Sequence, residues 1–106
     1  MNRTITFLLL SMLLLVGLAG PAIAASSESE LFNRANELKI NADYQTAAKL
    51  LKELLQRYPK TQNEDVYWEL KEIYENNLSD YASALGVYRG YLKRFPQGRF
   101  AKDFGE

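Results

Sequence analysis

Two regimes of hydrophobicity divide the chain. Residues 7–20 form an apolar run broken only by Ser11, whereas later apolar residues recur at helical intervals. Leu31, Ala35 and Leu38 fall on one face of a first helix. Tyr44, Ala47, Ala48, Leu51, Leu54, Leu55 and Tyr58 follow the i, i+3, i+4, i+7 spacing of a second. Tyr67, Leu70, Ile73 and Tyr74 make the inner face of a third. Tyr81, Ala84, Leu85, Tyr88, Tyr91, Leu92 and Phe95 make that of a fourth. The period-two alternation of a half-buried strand is missing beyond the apolar run, so the fold is expected to be all-α.

Punctuation between these faces supports the division. Ser27 with Glu30, and Thr61 with Glu64, have the spacing of capping boxes. Asn41, Ala42 and Asp43 read as a turn, as do residues 76–80, and Asp43 and Asp80 suit helix N-caps. Pro59 and Pro96 end the second and fourth helices, because a residue before proline is driven out of the α region.

The second pair of helices repeats the first. Asp43, Tyr44 and Ala47 recur as Asp80, Tyr81 and Ala84, an offset of 37. Leu50 meets Val87 at that offset, Lys52 meets Arg89, Leu55 meets Leu92, Arg57 meets Arg94, Tyr58 meets Phe95 and Pro59 meets Pro96. The reading is a short α-solenoid of two tandem helix-turn-helix units, about residues 28–61 and 62–98. Residues 99–106 start a partial C-terminal capping helix, with Phe100 and Phe104 spaced to cover the exposed end of the second unit. Solenoid units bury their faces on neighbours and normally need about three repeats. Two repeats and a stub are therefore expected to self-associate or to lean on a partner. Gly86 and Gly90, four apart in the last long helix, each cost about 1 kcal/mol against alanine. Either another helix approaches closely there, from this chain or a second copy, or the glycines are tolerated on an exposed face.

The apolar run has another purpose. Arg3 precedes it, Pro21 stops it, and Ala22, Ile23 and Ala24 give the small-x-small pattern of a peptidase site. Residues 1–24 are expected to be a signal peptide cut after Ala24, leaving residues 25–106 as a periplasmic or secreted domain. The run falls short of the roughly 20 residues that span a bilayer, so membrane contact is expected only if the signal is left uncleaved. Leu18, Ala19 and Gly20 resemble a lipoprotein signal, but Pro21 follows where cysteine is required. With no cysteine in the chain, a lipid anchor has no attachment point.

Composition then narrows the chemistry. The 106 residues hold 13 Lys+Arg against 13 Asp+Glu, no Cys and no His. Disulfides, Cys/His metal sites, thiol nucleophiles and histidine bases are excluded. A neutral balance speaks against nucleic acid. No phosphate loop, nucleophile elbow or calcium loop is present, no cofactor is expected, and the chain reads as a non-enzyme.

The repeat resembles the tetratricopeptide repeat. The residues that carry the likeness are Leu31, Arg34, Ala35 and Leu38 with Ala47, Leu51, Leu54 and Pro59, then Tyr67, Leu70, Lys71 and Tyr74 with Ala84, Tyr88, Tyr91 and Pro96. Arg34 stands at an apolar position of the family pattern and Lys71 at a small one. The family period is about 34 residues; one extra residue fits the turn before Asp80 and two fit between Thr61 and Glu64. The aromatic-proline endings look like repeats of bacterial envelope proteins, namely the periplasmic coordinator linked to the Tol–Pal system and the lipoprotein of the outer-membrane barrel-assembly machinery.

The resemblance implies an adaptor that binds a peptide segment or helix of an envelope protein. The first helix of each pair would line a concave groove with Phe32, Asn36 and Lys39, then Asp65, Trp68, Glu72 and Glu75. Asn36 matches part of a terminal-carboxylate clamp of the family, but Phe32 stands where its lysine belongs, so carboxylate capture is not expected. Trp68 has two readings, a groove anchor for an apolar or basic segment or a core residue packed near Phe32. The charges are also polarised. Glu64, Asp65, Glu69, Glu72, Glu75 and Asp80 face only Lys71 in residues 61–80, whereas Arg89, Lys93, Arg94, Arg99 and Lys102 meet no acid in residues 81–102. Either the adjacent helices compensate each other or one sign steers a partner. Two other functions stay open, a structural subunit of an envelope complex and a small carboxylate-dependent enzyme.

Overall fold

The computed structural model describes residues 26–105. The expected signal peptide, its cut after Ala24 and the last position of the expected cap lie outside the described residues. Five helices follow in order: α1 (Glu28–Ile40), α2 (Tyr44–Arg57), α3 (Asp65–Glu72), α4 (Tyr81–Arg94) and α5 (Ala101–Gly105). The described residues form no strand, in keeping with an all-α chain. Contacts run from α1 to α2, from α2 to α3, from α3 to α4 and from α4 to α5. Two helical hairpins are thus stacked side by side, and a short fifth helix closes the second.

The caps follow the sequence at three of four starts. The Ser27 hydroxyl accepts the Glu30 N–H at 3.2 Å. Asp43 accepts the Thr46 N–H at 3.4 Å, and Asp80 accepts the Ser83 N–H at 3.1 Å and its hydroxyl at 2.7 Å. These bonds favour the charged form, so the Asp80 carboxyl sits below its ordinary range. Both long helices end at the residue before proline, where Tyr58 and Phe95 adopt nearly the same backbone, φ −123° and −131°.

The second expected capping box does not form. No side chain caps α3 at its Glu64 N-cap. The Thr61 hydroxyl donates to Glu28 and accepts the Asn63 N–H, which ties the loop back to the start of α1. Asn63 accepts the Asp65 N–H instead. Thr61 is buried between the hairpins, and that bridging role takes it out of reach of the helix start.

The extra residue of the second repeat lies elsewhere than the turn. α3 widens into a π-helical turn (Ile73–Asn77), where the Leu78 N–H reaches the Ile73 carbonyl at 2.9 Å. The closing bond of the hairpin runs from Asp43 N–H to Leu38 in the first unit and from Asp80 N–H to Tyr74 in the second, one residue further back. Beyond that bulge the two turns converge. Ala42 and Ser79, each just before its capping aspartate, both take positive φ, 62° and 50°.

The core runs unbroken through both hairpins, from Leu31 and Ala35 through Leu51, Leu54, Val66, Leu70 and Ile73 to Tyr91 and Phe104. Val66 is wholly buried although the periodic pattern passes over it. The face expected on α4 is only partly covered: Ala84 and Tyr91 are buried, as is Val87 outside the expected face, but Tyr81 and Leu85 stay exposed. The close approach considered for the glycines is absent among the described residues. A Cβ on Gly86 would meet nothing within 4 Å, and one on Gly90 only the Tyr67 ring at 3.9 Å.

Candidate functional site

Helical spacing aligns the residues assigned to the concave side. Phe32, Asn36 and Lys39 lie at i, i+4, i+7 on α1, and Asp65, Trp68, Glu72 and Glu75 continue a matching stripe along α3 and its π turn. All seven are partly exposed. Lys39 reaches across to Glu69 in an ion pair that joins the first helices of the two hairpins. The ion pair links the two helices, with Glu69 beside the α3 stripe rather than in it.

Trp68 packs against the core, as one of its two readings had it, and does so through the C-terminal segment. Its ring stacks on Phe100 at 4.7 Å and lies parallel to Phe104 at 5.8 Å, with the Lys71 ammonium 4.5 Å from its centroid. The C-terminal segment covers part of it, so Trp68 is half-buried rather than a free groove anchor. Phe104 is buried by Trp68, Tyr88 and Tyr91 together. Phe100 and Phe104 thus close the second hairpin of their own chain, and Phe104 is not available to a second copy. Lys71, at the family's small position, lies over the indole and pairs with Glu72 and Glu75 at 3.1 and 3.8 Å.

The residues that hold this segment carry other roles in the sequence reading: Tyr91 on the inner helical face, Glu64 in a cap, Asp65 on the concave side and Arg99 among the cations. Tyr91 is fully buried, yet its hydroxyl donates to Glu64 at 2.5 Å and accepts the Phe100 N–H at 2.8 Å. Glu64 also accepts the Arg99 N–H at 2.9 Å, and the Arg99 guanidinium pairs with Asp65. The Tyr91 hydroxyl bond is the main reason that the Glu64 carboxyl sits below its ordinary range, and the Arg99 contacts act in the same direction. Burial, then the Glu64 bond, pushes Tyr91 up. Gly98 makes room for this knot, since a Cβ there would stand 2.3 Å from the Tyr91 oxygen and 2.5 Å from Glu64. The glycine between Pro96 and Phe100 was the available clue.

Charge compensation differs from the two-helix picture. The acids of α3 and its π turn meet Lys39, Lys71 and Arg99 rather than the cations of α4. Glu75 also accepts the Tyr88 hydroxyl, a bond that pushes the Tyr88 pKa up to about 12. Arg94 donates to the carbonyls of Pro59, Lys60 and Thr61 at 3.4, 2.8 and 3.2 Å, tying the loop after α2 to α4. Arg89, Lys93 and Lys102 form no ion pair with any described residue. Among the described residues no group of three or more acids is arranged to hold a metal ion.

A separate depression of about 580 Å³ opens at the Pro59 end of the first hairpin, between Glu28, Arg57, Tyr58 and Thr61. There the Tyr58 hydroxyl donates to the Ser26 carbonyl at 3.0 Å. No periodicity in the sequence marked this place.

Comparison with known proteins adds one finding. The family profile of the tetratricopeptide repeat matches residues 31–61, so a tetratricopeptide repeat occupies the first hairpin. No curated protein and no solved structure matches the chain.

Proposed function

We propose that the chain is an interaction adaptor of the bacterial cell envelope, exported to the periplasm or beyond, which holds a peptide segment or helix of a partner along its concave side. The observation that carries this reading is the tetratricopeptide repeat at residues 31–61, a module that generally mediates protein–protein contact. The part-exposed stripe of Phe32, Asn36 and Lys39 lies within that repeat. Because Trp68 is covered by Phe100 and Phe104, the aromatic anchor in this reading is Phe32. The ion pair of Lys39 with Glu69 fixes the spacing of the two stripes beneath a bound segment.

Export rests on the leader pattern of residues 1–24 and the Ala22, Ile23, Ala24 site. The test is crosslinking mass spectrometry in intact cells, with a photoreactive group at position 36. A partner protein crosslinked to the native chain, and lost on Phe32→Ala, is the expected result. A partner set unchanged by Phe32→Ala would sink the concave-side reading, and recovery of the chain in the cytoplasm with residues 1–24 intact would sink export.

A further inference from the structure

The repeat supplies its own guide to a surface left open. In the first hairpin, the outer face of α2 is covered by α3 and its π turn. Ala48 there is buried, and Tyr74 of the π turn lines the same depression. Among the described residues, the corresponding face of α4 carries only α5 and the neighbouring Phe100 ring, and these rings meet Tyr88 and Tyr91. Tyr81 and Leu85, which match Tyr44 and Ala48 in the repeat, remain 67% and 45% exposed. Half of an interface that the molecule completes once is incomplete the second time.

We propose that this face of α4 docks an acidic amphipathic helix of a partner protein, laid against Tyr81 and Leu85 beyond the end of α5. The segment that fills the first interface shows what such a helix looks like. It presents Val66, Leu70 and Ile73 to the core, all buried, and carries Asp65, Glu69, Glu72 and Glu75 against Lys71 alone. The open face of α4 is apolar at Tyr81 and Leu85 and basic beside them at Arg89 and Lys93, neither ion-paired to any described residue. Complementary charge selects the partner and speeds its approach, and the apolar pair supplies the anchor.

The same observations weigh against a second copy. No acid lies between Tyr81 and Lys102, so two α4 faces would bring like charges together. Stacking head to tail would offer the outer side of α1, where Glu30, Arg34 and Glu37 are exposed and polar.

The proposal rests on the reading of the chain as a protein-binding module but not on its concave side. The probe is a labelled synthetic peptide of residues 65–77, titrated with the full chain by fluorescence anisotropy. Saturable binding is expected, weakened about tenfold by Leu85→Asp and about threefold by Arg89→Glu, the latter with a shallower salt dependence. Ile40→Asp, at an exposed apolar site on α1, should leave it unchanged, and a peptide carrying Leu70→Asp and Ile73→Asp should not bind. Because position 85 is exposed, circular dichroism should give native helicity for Leu85→Asp. Absence of binding, or binding indifferent to Leu85→Asp, overturns the proposal. So does a dimer by sedimentation that Leu85→Asp makes monomeric, which gives the face to a second copy. Binding that appears only after removal of residues 1–24 overturns it too, because the leader is then the occupant. Absence of peptide binding with partners still lost on Phe32→Ala in cells fails this proposal alone. Leu85-dependent peptide binding with partners unchanged by Phe32→Ala fails the concave-side reading alone.

Discussion

The two hairpins share a plan and solve its packing with different side chains. In the first, Ala35, Ala47, Ala48, Leu51 and Leu54 are buried, so small and aliphatic groups bring α1 and α2 together. In the second, Lys71 replaces Ala35 in the family pattern, Tyr88 replaces Leu51 and Tyr91 replaces Leu54. Aromatic rings fill the wider space, with Tyr67 edge-on to both Tyr91 and Phe95. The aliphatic hairpin presents a smooth face to the next unit. The aromatic hairpin brings hydroxyls into its core: that of Tyr88 bonds Glu75 of the π turn, and that of Tyr91 fastens the C-terminal segment. A tyrosine serves as filler and as latch at once, which leucine cannot do.

The strongest way to break this contrast is to make the second hairpin like the first. Tyr91→Leu removes ring volume and leaves Glu64 and the Phe100 N–H without their partner. A loss of about 2–4 kcal/mol is expected in urea unfolding. Emission from Trp68, the single tryptophan, should shift to the red as Phe100 and Phe104 come away. Leu54→Tyr, the reverse exchange, overfills a wholly buried site and should cost about 1–3 kcal/mol with no change in that emission.

Glycines sharpen the comparison next. Gly98→Ala forces a Cβ against the Tyr91 oxygen and Glu64, for an expected loss of about 1–3 kcal/mol by thermal or urea unfolding. Gly86→Ala fills open space in a helix and should stabilise by about 0.5–1 kcal/mol. If both changes destabilise alike, the latch at Gly98 is not as described.

The smallest stability effects belong to the turns, where the hairpins agree. Ala42→Gly and Ser79→Gly each relieve a left-handed backbone and should stabilise equally, by about 0.5–1 kcal/mol. Unequal gains would show that the π turn strains the second loop further. The latch also carries a pH signature. The folded Glu64 pKa lies below its ordinary 4.5, so its contribution is complete above that value and is lost as pH falls through the folded pKa. Trp68 emission should therefore change in that acid range, and Glu64→Gln should abolish the step.

Helix boundaries, caps at Ser27, Asp43 and Asp80 and both proline stops were legible because they depend on neighbours in sequence. Thr61 and Glu64 misled for the opposite reason. Their spacing is that of a local cap, but Glu28 on one side and Tyr91 with Arg99 on the other claim their oxygens from far along the chain. Trp68 was legible as a large residue turned away from Tyr67's position, and Phe100 and Phe104 as a cover for the second unit, but their meeting spans more than thirty positions, beyond the reach of helical periodicity. The π turn escaped because one added residue looks the same in sequence whether a loop or a helix absorbs it.

The knot at Tyr91 also sets an order of assembly. Five residues of helix have no stability alone. The N–H groups of Arg99 and Phe100 find their acceptors only on Glu64 and Tyr91. Those acceptors come into place when α3 and α4 have already met. Residues 98–105 therefore settle last in refolding and leave first in unfolding, and the tryptophan that they cover keeps time for both.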